Sequence, residues 1–224
     1  MTIIKHCCWQ EQQYYSWFYF ASVIFLINQV GIGQQAKPAV GLKVTKIKVE
    51  SGQKYRMGGT PLQKQARIYT DRDHLKFTNV PKSVTGLSYL MTANADHKGK
   101  GKTFLTFAVS QSVRLWVGRD SRGDPAKKGV APKWLSSNFQ RTNIMIETNE
   151  PGMGFFVLYQ GKADLAKGKH SLGGNADPPA AGQMNNYVLL FSAGAEAIAT
   201  QELSVTVWHK LSLWWGKIKL ELTQ

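Results

Sequence analysis

FLTFAV at 104–109, SQS at 110–112 and VRLWV at 113–117 decide how this chain is read. Two short runs of β-branched and aromatic residues flank a three-residue polar turn. That pattern predicts an antiparallel hairpin. The same signature recurs outward in both directions. Towards the N-terminus lie LKVTKIKV at 42–49, ARIYT at 66–70, LKFT at 75–78 (ended by NVP at 79–81) and GLSYLMT at 86–92. Towards the C-terminus lie NIMIE at 143–147, GFFVLY at 154–159, GKHSL at 168–172 and YVLLF at 187–191. In the 42–49 run the apolar parity slips: Leu42 and Val44 share one face, while Ile47 and Val49 continue on the other. About ten short strands with turn signals every ~8–12 residues are the pattern of a sandwich or barrel. Ala193–Gln201 is the best helix candidate, and it is short. The expectation is an all-β, antiparallel β-sandwich, jelly-roll-like, behind an N-terminal apolar signal or anchor helix.

The composition agrees. Of 224 residues, 43% are hydrophobic and 11% aromatic, enough for a packed core. Twenty-one Gly and eight Pro suit a turn-rich fold, and no Gly-X-Y period points to collagen. The two cysteines, Cys7 and Cys8, are adjacent and exclude a disulfide framework. Only one long uncharged apolar stretch exists, within 12–36, so a multi-span membrane protein is excluded. With Lys5 before it and GIG at 31–33 after it, that stretch reads as a secretory signal cleaved after Gly33, or else as a retained anchor. Either reading places the body in an extracytoplasmic space. The expected organisation is a signal or anchor at 1–33, a linker at 34–41, a sandwich at 42–192 and a Trp-rich extension at 193–224.

The residues in order resemble a known module: YTDR at 69–72, FTNVP at 77–81, LSYLMTAN at 87–94 with Asp96, FLTF at 104–107, VRLWV at 113–117, DSR at 120–122, PKWL at 132–135, SLGGN at 171–175 and NYV at 186–188. Over 43–192 the chain resembles a β-sandwich accessory module of bacterial secreted proteins, of the kind appended to polysaccharide-degrading enzymes. The resemblance implies a non-catalytic module with carbohydrate ligands. The chain departs from it in having no catalytic module beside it and in the basic stretch GDPAKKG at 123–129.

Enzyme signatures are missing. None of the five His makes a metal-binding H-x-x-x-H spacing. No Gly-x-Ser-x-Gly elbow occurs, and no pair of carboxylates stands out for glycoside hydrolysis. GKGKT at 99–103 imitates a P-loop, but Asp96 stands where the first glycine belongs. The expectation is no catalytic residue, no metal and no cofactor. The Asp carboxylates of Asp71-Arg72-Asp73 and Asp120-Ser-Arg122, with Asn94 and Asp96, form an oxygen-rich set with the chemistry calcium takes. Asp71-Arg72-Asp73 and Asp120-Ser-Arg122 are readable either as a polar floor for a sugar or as Asp–Arg networks tying strand ends together.

Charge supplies the remaining signal. Lys and Arg number 28 against 14 Asp and Glu, a net +14. The excess lies in the first half of the body, +8 in 34–90 and +6 in 91–135, while 136–224 is neutral. Such a field recruits anions, and no nucleic-acid-binding signature accompanies it. The expected ligand is an acidic polysaccharide or an anionic envelope surface, held through Lys98, Lys100, Lys102, Arg119, Asp120, Arg122, Lys127 and Lys128, with Trp134 as a stacking platform or a core residue. The alternative is a structural or assembly subunit that docks a protein partner through Trp208, Trp214 and Trp215.

Overall fold

The computed structural model describes residues 35–195. The leader and the extension with Trp208, Trp214 and Trp215 lie outside the described residues. Ten strands are present: β1 (Val44–Val49), β2 (Arg56–Met57), β3 (Phe77–Asn79), β4 (Ser88–Met91), β5 (Leu105–Val109), β6 (Val113–Asp120), β7 (Phe139–Thr148), β8 (Phe155–Gly161), β9 (Gly168–Leu172) and β10 (Val188–Ala193). All pair antiparallel, in a three-stranded sheet ordered β1-β5-β9 and a seven-stranded sheet ordered β2-β4-β10-β6-β8-β7-β3. Among the described residues the chain is all-β, as its turn spacing predicts. Its one described α-helix, α1 (Lys133–Asn138), has six residues. No described helix is long and apolar enough to cross a membrane.

The expected hairpin across 110–112 does not form. β5 joins the small sheet and β6 the large one, so the turn carries the chain from one sheet to the other. Ser110 instead continues the pairing with the β1 side: its N–H donates to Lys43 O, and its Oγ accepts from Lys43 N–H. Val109 and Val113 both turn into the core shared by the sheets. The expected strand at 66–70 is also absent. That segment contributes only single bridges, at Arg67 and Tyr69, because it lies over a sheet face.

Two apolar layers explain this. The first fills the space between the sheets, with Leu105, Phe107 and Leu172 from the small sheet meeting Leu115, Val117, Leu189 and Phe191 from the large one. The second lies on the large sheet's other face. There Trp116, Phe156, Leu158, Val188 and Leu190 are roofed by Leu62, Ile68, Tyr69, Leu75, Val84 and Leu87 from the irregular stretches on either side of β3. The central strands are therefore buried on both faces, and every residue of β10 is buried. Each large apolar side chain so covered contributes about 1.5–3 kcal/mol. The parity slip in β1 is real. Its register to β5 shifts between Thr45 and Lys48, and Lys46 takes φ +51°, a bulge that returns Val49 to the core.

Candidate functional site

Strands β1, β4, β6 and β9 finish at one end of the sandwich, where β5, β8 and β10 begin. The loops there hold most of the sequence-predicted residues. Loop 94–103 is fastened to loop 173–187: Gly174 N–H donates to Gly101 O, Ala176 N–H to Gly99 O, and Gly101 N–H to Asp177 Oδ1. The segment after β6 is fastened to the same loop through Asp120, whose Oδ2 accepts the N–H groups of Met184 and Asn185. Both halves of the predicted basic set thus converge on one end.

Their roles differ. Alternation along β6 sends Leu115, Val117 and Arg119 towards the inter-sheet core, and Trp116 and Asp120 towards the roofed face. Arg119 is 1% exposed and Asp120 fully buried, so neither offers a surface to a ligand. Asp120 is clasped by Arg122, with Nη2 at 2.6 Å from Oδ2 and Nε at 3.0 Å from Oδ1. Burial pulls the Asp120 carboxyl up, but hydrogen bonds from the Arg122 side chain and the N–H groups of Arg122 and Met184 outweigh it and hold it below its ordinary value. That ion pair raises Arg122 in turn. The Asp–Arg cluster is a tie between strand end and loop. A second tie lies beside it: Asp124 accepts from Arg141 Nε at 2.8 Å and from the Tyr159 hydroxyl at 3.0 Å. Burial again opposes, and those bonds together with the Ala126 N–H keep Asp124 low.

Arg119 is the anomaly. Its Nη2 donates to Val130 O and Gln183 Oε1, yet Nε and Nη1 are buried with no partner. Desolvation pushes its pKa down to about 10, against the opposing pull of Tyr159, Asp120 and Asp124. Gly123 lets it sit there: a Cβ would meet Nε and Nη2 at 2.8 Å.

Trp134 is a core residue with a polar handle. Its Nε1 donates to Gly174 O at 3.0 Å, and its ring meets Phe139 and Tyr187 edge-on. Lys127 reaches Ser121 Oγ and lies 4.7 Å from the centre of the Phe155 ring. Lys98, Lys100, Lys102, Lys127 and Lys128 are exposed. They are the most exposed of the predicted residues, Arg122 and Trp134 being half-buried.

The oxygen-rich set does not assemble. Asp71 uses both oxygens on the N–H groups of Asn94 and Ala95, and Asp96 accepts from Ser51 Oγ. Asp73 is 84% exposed. No three acidic, His or Cys side chains converge among the described residues.

What the sequence did not signal is an asparagine network beneath these loops. Asn186 Nδ2 donates to the Tyr55 hydroxyl and Ala93 O, and Asn94 Nδ2 to Asn185 Oδ1. Asn175 Nδ2 donates to Asn185 O. The pair Asn185-Asn186 just before an apolar run was the available cue.

No family model and no curated protein matches the sequence. Among solved structures, a β-glucuronidase from glycoside hydrolase family 2 is similar, with a TM-score of 0.55 at 17% identity over 66% of this chain and 14% of that one. A glycoside hydrolase family 138 enzyme targeting pectin rhamnogalacturonan II is similar over 71% of this chain and 17% of that one, with a TM-score of 0.42 at 17% identity. The chain therefore spans a small part of the enzymes it resembles. The likeness is one of fold: this β-sandwich has the architecture of a domain found within a glycoside hydrolase.

Proposed function

We propose that the protein is a non-catalytic, extracytoplasmic carbohydrate-binding module that takes acidic polysaccharide at the loop end of its sandwich. The observation that carries this reading is the gathering of exposed Lys98, Lys100, Lys102, Lys127 and Lys128 on loops anchored to one scaffold segment, 173–187. Loops on a rigid frame are where binding residues concentrate. The fold shared with a domain of a β-glucuronidase, an enzyme named for an acidic sugar, supports the ligand class. Two carboxylates at this end, Asp120 and Asp124, support the non-catalytic reading. A glycosidase needs a general acid of raised pKa, whereas Asp120 and Asp124 are held low by arginines. Native affinity electrophoresis through gels containing polygalacturonate, dextran sulfate or neutral dextran tests it. Retardation in the acidic gels is expected, weakening as salt is added. Unretarded migration in all three rejects the reading.

A further inference from the structure

The small sheet's outer face carries a groove that the loop-end site does not include. It is shallow and open to solvent, with a volume of about 310 Å³, and is lined by Lys48, Glu50, Thr103, Phe104, Thr106 and Lys169. Register explains how it arises. Leu105, Phe107 and Val109 turn into the core, so Thr106 and Ala108 of the middle strand face outward. Thr106 stands opposite Lys48 on β1 and Ser171 on β9, and Ala108 stands opposite Thr45 and Lys169. The outer face thus carries short side chains along its middle and is bracketed by one lysine from each edge strand. Lattice spacing puts the two lysine Cα atoms about 12 Å apart, across two strand widths and two residues along the strand. The groove is lined at one end by Thr103 of loop 94–103, whose lysines carry the proposed site.

We infer that this groove extends the binding site and holds a polysaccharide bearing carboxylate or sulfate groups, with Lys48 and Lys169 taking the acidic groups. The inference rests on the proposed carbohydrate-binding reading. The ammonium groups are point charges suited to separate anions along a chain. Thr103 and Thr106 both donate and accept, and the Glu50 carboxylate accepts, as sugar hydroxyls require. Glu50 also disfavours a dense polyphosphate such as DNA, whose charges would crowd a like charge.

The test removes the same charge in two places. Lys48→Ala/Lys169→Ala alters the groove, and Lys64→Ala/Lys82→Ala alters exposed lysines of the 58–87 segment. Both pairs are exposed, and thermal melting checks that both variants fold. In gels of polygalacturonate and dextran sulfate, the groove variant should bind about tenfold more weakly in at least one, as charge-assisted contacts are lost, while the control stays near wild type. The gel that shows the loss identifies carboxylate or sulfate. Retarded wild type with an unaffected groove variant, or with equal loss in both variants, overturns this inference and leaves the module reading intact. A wild type retarded equally by a DNA fragment also overturns it. Wild type unretarded in every acidic gel removes both.

Discussion

Replacing Asp120 by Ala should cost this fold about 4 kcal/mol, a large part of its stability. The carboxylate is fully buried and accepts from Arg122 Nε and Nη2, from Arg122 N–H, and from the N–H groups of Met184 and Asn185. Removing one member of a buried ion pair costs roughly 3–5 kcal/mol. The Asn185 N–H, the one of these three backbone donors in a buried bond, adds about 1–3 kcal/mol when left without an acceptor, while the part-buried N–H groups of Arg122 and Met184 can turn to water. Arg122 offsets part of the sum, because its side chain is 21% exposed and can turn to water. At roughly 2–4 °C per kcal/mol for a chain of this size, the melting temperature should fall by about 8–16 °C. Asp73→Ala is the control, since that carboxylate is 84% exposed. The pH dependence is a second readout. The Asp120 carboxyl sits below its ordinary value in the folded state. Its contribution is therefore complete above the unfolded pKa of about 3.9 and disappears as pH falls through the lower folded value. Wild type and variant should converge in strong acid. Calorimetry from pH 7 to pH 2 measures both effects. A drop under about 3 °C at pH 7, or a gap that stays constant down to pH 2, refutes the tie we assign to Asp120.

Arg119→Met should leave stability within about 1 kcal/mol of wild type or raise it, because Met fills similar space and needs no partner. The folded pKa of about 10 lies below the ordinary guanidinium value, so the charge costs stability at neutral pH and the cost is relieved only as pH rises past 10; a urea-measured loss above ~3 kcal/mol contradicts this. The same variant should bind acidic gels as wild type does, since Arg119 is 1% exposed. Gly129→Ala should destabilise by about 1–3 kcal/mol, because its Cβ would fall on the backbone of Gly123; an unchanged urea midpoint argues against that packing. Deleting 203–224 is expected to leave the sandwich folded, which thermal melting of the truncated protein checks. If Trp208, Trp214 and Trp215 dock a partner, the deletion abolishes co-purification of the complex; unchanged assembly rejects that role.

Local pattern was legible where one face of a strand meets solvent. The bulge in β1 is visible as a parity slip between Val44 and Ile47, and β9 falls on the predicted 168–172. Pairing was less legible. FLTFAV and VRLWV are strands, but nothing in a three-residue turn states that they enter different sheets. Burial on both faces also erases alternation, as in VLLFSA of β10, so the second apolar layer left no periodic signal. Helix α1 has six residues and cannot show a helical period. At the site, charge alone suggested exposure for Arg119 and Asp120. Parity with Leu115, Val117 and Trp116 pointed the other way, and the structure follows parity.

The buried and exposed polar groups at the loop end divide the work of binding. Asn94, Asn175, Asn185, Asn186 and Asp120 fix the backbone of loops 94–103 and 173–187 through hydrogen bonds that a ligand need not disturb. A fully satisfied buried network holds one geometry. Above it Lys98, Lys100, Lys102 and Lys128 are exposed and Lys127 is held on Ser121 and Phe155, so an acidic chain that binds orders side chains rather than loops. Ordering costs about 0.5–1.5 kcal/mol for each long side chain immobilised. Several weak ionic contacts can then sum to useful affinity for a repeating polyanion, whereas a single acidic sugar would gain little. The affinity of this surface should therefore rise with chain length, and a series of oligogalacturonides of increasing size should show it. Equal affinity for the monosaccharide and the polymer would mean that one contact dominates, and the distributed lysine surface would then be the wrong description.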